Sequence, residues 1–160
     1  MYSLTILERM ILESLSKSKK SVLELIYDID LEIELIQNAI EELKQRNLVK
    51  ASKGIVEINI EELTKWNQSE HIKDSLREEI KEILEASIDT YFANPENSMV
   101  RIKKVNMSSD EKKIFNAMIS NLDNFIKGLT ESKKNQSVKD QEVIFWGFSG
   151  YRNLAEQIMA

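Results

Sequence analysis

The sequence predicts an α+β chain that is mostly helical, and three observations carry that expectation. Its 160 residues include one proline and four glycines, the residue types that supply most of the special backbone geometry turns require. Apolar side chains recur at helical spacing through most of the length. That rhythm is broken at 48–59, 99–107 and 142–148 by short runs of strand character.

In chain order, the first helix is expected over Thr5–Leu15, where Ile6 or Leu7, then Met10, Ile11 and Leu15, return to one face. Ser16–Lys20 is a polar, basic connector. Ser21 is placed to cap a second helix, Val22–Asp28, because Glu24 stands at the third position after it, the spacing of a capping box. Asp28 and Asp30 mark a turn, and Asp30 is placed to cap a third helix, Leu31–Arg46. The inward face of that helix is Ile33, Ile36, Ile40 and Leu43, and Asn47, which tolerates left-handed geometry, ends it. Leu48–Asn59 reads as two strands around Ser52-Lys53-Gly54, with Gly54 serving the turn. Ile60–Glu70 is a junction in which Leu63 and Trp66 need something to pack against.

In the second half, a long helix is expected over Ser69–Phe92, with a stripe of Ile72, Leu76, Ile80, Ile83, Leu84, Ile88 and Tyr91. Pro95 closes it by disfavouring helix at Asn94. Met99–Met107 reads as a strand. Ser108 and Glu111 have capping-box spacing and open a helix over Asp110–Thr130, whose apolar positions from Ile114 to Leu129 form the strongest amphipathic pattern in the chain. A polar loop (131–140) leads to a strand over Glu142–Phe148, apolar from Val143 to Trp146 and so expected to be buried on both faces. A last short helix is expected over Tyr151–Met159. The division that follows is a first domain, 1–64, and a C-terminal helix-strand-helix-strand domain, 65–160.

A short helix, a turn, a longer helix ending in EELKQRNLV (41–49) and a hairpin SKGIVEI (52–58) resemble bacterial winged helix-turn-helix transcriptional regulators. Asn47 stands where such proteins often have Gly. The resemblance covers about 60 residues. In element order, the remainder resembles an uncharacterised regulator family in which a winged helix precedes a small α+β domain used for dimerisation or for receiving a signal. The resemblance implies a cytoplasmic, DNA-binding transcriptional regulator that binds double-stranded DNA, and a homodimer, with the helix over Ser69–Phe92 as its candidate dimer element, is expected because one such module grips too little duplex for specificity.

Charge bears on that implication. The chain carries a net charge of −5; residues 1–64 hold 8 Lys and Arg against 12 Asp and Glu, and residues 65–160 hold 14 against 15. With Ile36 and Ile40 inward, a turn of about 100° per residue puts Leu31, Glu34, Asn38, Glu41, Glu42 and Gln45 outward. Asn38 and Gln45 suit adenine edges, whereas three carboxylates repel phosphate. The candidate phosphate contacts are Lys17, Lys19 and Lys20 before the second helix and Lys44, Lys50, Ser52 and Lys53 around the hairpin. The alternative is a winged helix used as a protein-interaction module, whose acidic outer face docks a basic partner or packs in a dimer.

Other chemistry is poorly supplied. No cysteine is present, which removes disulfides and Cys-based metal or redox sites, and His71 is the only histidine. GFSGY (147–151) departs from a nucleophile elbow at Tyr151, where that motif needs Gly. Glu78, Glu79, Glu82 and Glu85 lack the histidine partner of carboxylate metal sites and read as a solvated face. Phe145, Trp146, Phe148 and Tyr151 read first as core, and Arg101, Lys103 and Lys104 as a basic cluster on one strand. No enzymatic activity, cofactor, metal or membrane partner is expected. The first 15 residues break their apolar run with Glu8, Arg9 and Glu13, unlike a signal peptide or a membrane span.

Overall fold

A reciprocal cap opens the first helix. Thr5 Oγ1 accepts the Glu8 N–H at 3.3 Å and the Glu8 carboxylate accepts the Thr5 N–H at 2.7 Å, starting α1 (Ile6–Lys17). Ser21 and Glu24 repeat the device and start α2 (Val22–Ile29). The computed structural model describes residues 4–68, 72–94, 96, 99–132, 136–150, 153–154 and 157. Between the first two helices, Lys20–Ser21 forms a two-residue strand, β1. α3 (Ile33–Gln45) follows, then β2 (Val49–Ser52) and β3 (Ile55–Ile58). The three strands make one antiparallel sheet in the order β1-β3-β2.

The core lies where these elements meet. Ile11 and Leu15 of α1, Leu25 and Ile29 of α2, and Ile36, Ala39, Ile40 and Leu43 of α3 are buried with Leu48, Val49 and Val56. Three of the four residues expected on the inner face of α3 are there. Ile33, the fourth, lies at the first position of the helix and is 47% exposed, and Ala39 is buried with the other three. Asp30 does not cap α3. It takes a left-handed conformation (φ 63°) and its N–H closes α2 on the Ile26 carbonyl; Glu32 precedes α3 without a side-chain cap. Asn47 is left-handed as expected (φ 58°), and its carbonyl accepts from Asn59 Nδ2 at 2.9 Å. Glu8, 2% exposed, joins the start of α1 to the end of α3. Arg46 Nη2 lies 3.3 Å from Glu8 Oε1, an ion pair whose angle falls outside hydrogen-bond geometry, while Nη1 donates to Oε2 at 3.4 Å.

The junction is a helix, α4 (Ile60–Asn67), whose Leu63 and Trp66 pack against the core. α5 (Ile72–Ala93) is tied to α1 by Arg9, which reaches Glu79 at 2.8 Å and donates to Ser75 Oγ at 3.2 Å. The start expected at Ser69 lies outside the described residues. α6 (Ser109–Ser132) opens on the expected Ser108–Glu111 cap. No helix among the described residues is long and apolar enough to cross a membrane.

The helix-strand-helix-strand order of the second half is not what forms. Residues 99–107 and 142–148 run without helix or strand, and the described residues of the chain's second half contain no strand. β-branched alternation describes a fit to a sheet, and among the described residues no neighbouring strand offers a ladder here. Val143, Ile144, Phe145 and Trp146, expected to be buried, are 65, 55, 46 and 37% exposed. Of the last helix, Asn153, Leu154 and Gln157 are described and are helical.

One C-terminal segment returns to the first. A single 3-10 turn, Val138–Asp140, seats the buried Val138 against α1 and α2. Ser137 Oγ lies 2.6 Å from both the carbonyl and Oδ1 of Asp28, and the Val138 N–H donates to Oδ1 at 3.3 Å. Gln141 Nε2 donates to Glu13 at 2.8 Å, Lys17 donates to the Gln136 carbonyl, and the Lys139 ammonium sits 4.7 Å above the Tyr27 ring.

Candidate nucleic-acid interface

Burial of Ile36, Ala39, Ile40 and Leu43 fixes which side of α3 faces out. Glu34, Asn38, Glu41, Glu42 and Gln45 are all exposed there, and Leu31 is exposed just before the helix. Asn38 and Gln45, seven positions apart, share that side and offer amide donors and acceptors. Lys44 lies at its margin and spends its ammonium on Glu41, at 2.8 and 2.9 Å from the two carboxylate oxygens.

The hairpin stands beyond the C-terminal end of α3. Lys53 (φ 51°) and Gly54 (φ 78°) are both left-handed, the geometry of a two-residue turn whose twist matches its strands. Gly54 suits it at no steric cost, and Lys53 bears the strain of a side chain there. Ser52 and Lys53 are exposed at this tip, and Lys50 is exposed on β2. Lys50 pairs in register with Glu57 and helps to lower the Glu61 carboxyl, whose main partner is the Lys65 ammonium, so its field is partly met by the chain's own carboxylates.

β1 was not foreseen, and it changes the layout. It pairs with β3, so Ser21, Ile55 and Ser52 form one row and Lys20, Val56 and Ala51 the next. The basic connector and the hairpin therefore belong to one sheet, although 28 residues lie between Lys20 and Val49 in sequence. Lys19, just outside β1, is exposed. Lys20 is not turned to solvent. Its ammonium donates to Ser14 Oγ at 2.9 Å and to Asp28 Oδ2, with its side chain 17% exposed. Of the residues expected to meet phosphate, Lys19, Lys50, Ser52 and Lys53 stand clear, Lys20 and Lys44 are held by carboxylates, and Lys17 donates to the Gln136 carbonyl.

Sequence reasoning missed Asp28, where Ser14, Lys20, Ser137 and Val138 converge. Burial raises its carboxyl, but hydrogen bonds from Lys20, Ser137 and Ser14, with the Lys20 charge, outweigh that and hold it well below the usual carboxylate range. No local spacing announces such a group. Also missed was an apolar outer surface on α2 and the start of α3: Leu23 and Tyr27 are 74 and 79% exposed, and Ile33 and Leu35 47 and 48%. An eight-residue helix with apolar residues on both sides was the available signal.

The remaining candidates scatter. Arg101, Lys103 and Lys104 are exposed on an irregular segment, Glu78 pairs with Lys81 at 2.7 Å, and Glu79 belongs to Arg9. Phe148 meets Phe115 edge-on at 5.3 Å between centroids. His71 and Tyr151 lie outside the described residues. Compared with family models, curated proteins and solved structures, the chain matches none.

Proposed function

We propose that the chain is a DNA-binding transcriptional regulator, cytoplasmic and homodimeric, whose residues 4–58 work as a winged helix-turn-helix. One observation carries the reading: in the element order α1-β1-α2-α3-β2-β3, with strands ordered β1-β3-β2, a hairpin bearing the exposed Lys50, Ser52 and Lys53 directly follows α3, whose side away from the core exposes Asn38 and Gln45. That arrangement suits a helix in the major groove, where Asn38 and Gln45 meet base edges while the hairpin and Lys19 hold flanking phosphates. Glu34, Glu41 and Glu42 repel the backbone, so affinity depends on two copies gripping two half-sites.

Titration of the purified protein into labelled duplex DNA at stepped salt tests this. Binding that weakens as salt rises, and weakens further in Lys50→Glu with Lys53→Glu, is expected. Affinity unchanged by that double substitution removes the hairpin from the interface.

A second reading draws on the exposed Leu23, Tyr27, Ile33 and Leu35, with Glu24, Glu32 and Glu34 among them. Such a surface suits a protein partner better than a polyanion. Protein that ignores duplex DNA in dilute buffer favours this reading, an adaptor that docks another polypeptide through α2 and α3.

A further inference from the structure

Among the described residues, α6 carries more apolar side chain than the rest of the chain covers. Phe115, Ile119 and Ile126 are partly buried, with Phe148 against Phe115. Beside them runs a second stripe, Ile114, Met118, Leu122, Phe125 and Leu129, exposed by 60, 64, 39, 64 and 37%. Its steps of four, four, three and four residues keep one line along a helix. We propose that this stripe is a homodimer interface in which α6 packs antiparallel on α6 of a second copy, with the two-fold axis between Asn121 and Leu122.

The stripe is self-complementary, which a two-fold interface requires. Reversing the helix about that midpoint exchanges Ile114 with Leu129, Met118 with Phe125, and Asn121 with Leu122. Each exposed apolar side chain away from the axis meets another. Asn121, exposed beside the axis, stands opposite Leu122 of the second copy and one residue step from that copy's own Asn121, within reach for the two amides to pair and fix the register.

Charge points to the same occupant. Between Ile114 and Leu129 the only charged residues are Asp123 and Lys127, and at about 100° per residue both fall on the far side. Ala117, Asn121 and Gly128 flank the stripe instead, small or neutral and open to a close helix approach. The stripe itself offers a nucleic acid or a charged partner no group to pair with; charged side chains, Glu13, Lys17, Asp140 and Glu142, border it only in the cleft at its Leu129 end. The stripe offers roughly 500 Å² of apolar surface per copy, most of the roughly 800 Å² per partner of a standard interface. The inference rests on the homodimer in the reading above and is independent of DNA.

The chain has no cysteine, so single thiols can be placed at will. With a short bifunctional thiol reagent, Asn121→Cys is expected to give crosslinked dimers and Ser109→Cys is not, because antiparallel packing puts the two copies of residue 109 on the order of 35 Å apart. Crosslinking at both positions, or at neither, overturns the proposal. Light scattering at micromolar concentration is expected to show a dimer that Met118→Glu with Phe125→Glu converts to monomer at unchanged helix content. A wild-type monomer, or a dimer indifferent to that pair, also overturns it. DNA affinity of the monomeric variant, read separately against Lys50→Glu with Lys53→Glu, shows whether a failure lies in the dimer or in the nucleic-acid reading.

Discussion

Replacing Asp28 with Ala removes a carboxylate shared by four donors, of which Lys20 keeps Ser14 Oγ and Ser137 keeps the Asp28 carbonyl. The Ser14 hydroxyl is fully buried, the Lys20 side chain is 17% exposed, and the Ser137 hydroxyl and Val138 N–H lose their carboxylate. A hydrogen bond to a charged group contributes about 1.5–3 kcal/mol, and an ammonium left unpaired in a largely buried site costs a comparable amount. These terms overlap, and Lys20 retains a path to water, so a loss of about 3 kcal/mol is expected. Urea unfolding followed by tryptophan fluorescence reads it, since Trp66 packs against the core. For a chain of this length the thermal midpoint falls by roughly 6–12 °C. A double-mutant cycle isolates the C-terminal anchor: Asp28→Ala and Ser137→Ala together are expected to fall short of their sum by about 1 kcal/mol. A loss under about 0.5 kcal/mol for Asp28→Ala, or strict additivity in the cycle, refutes the view that this carboxylate ties the C-terminal segment to α1 and α2.

Three further outcomes are expected. Because the Asp28 carboxyl is depressed in the folded chain, its contribution is complete above the ordinary carboxylate range, near pH 4, and is lost as pH falls below it; urea midpoints at stepped pH are expected to drop more steeply in wild type than in Asp28→Asn. Gly54→Val puts a β-branched side chain at φ 78° and is expected to destabilise by about 1–2 kcal/mol in urea unfolding, whereas Lys53→Gly relieves the left-handed neighbour and is expected to be neutral or stabilising. Three exposed lysines per copy, Lys19, Lys50 and Lys53, set a salt dependence of DNA binding with a log–log slope of roughly −2.7 per copy, or about −5 for a dimer. A slope near −9 would mean that Lys20 and Lys44 also leave their carboxylates.

Legibility in the sequence followed the range of the interaction. Ser21 with Glu24 and Ser108 with Glu111 were readable because a capping box closes over three residues. Thr5 with Glu8 has the same spacing and was equally readable. The hairpin turn and the left-handed Asn47 were local too. Asp30 was not, since a residue between two helices can finish one or begin the next. The failed strands at 99–107 and 142–148 show the limit of propensity: Val143–Trp146 has the composition of a buried strand, but a strand exists only with a partner. The candidate interface was legible in its lysines and not in their engagements. Nothing near Lys20 indicated that Asp28 holds its ammonium, and nothing near Asp28 announced Ser137, 109 residues later.

That distance has a consequence during synthesis. The groove between α1 and α2 that receives Val138 is made early, and the side chain that fills it leaves the ribosome 110 residues after Asp28. Until then Ser14, Lys20 and Asp28 face water on that side. A shortened protein ending at the close of α4 would keep every helix and strand of the first half and still lack its plug. Such fragments are expected to be less robust than their intact architecture suggests, and the nascent chain is exposed to the same weakness until Val138 emerges.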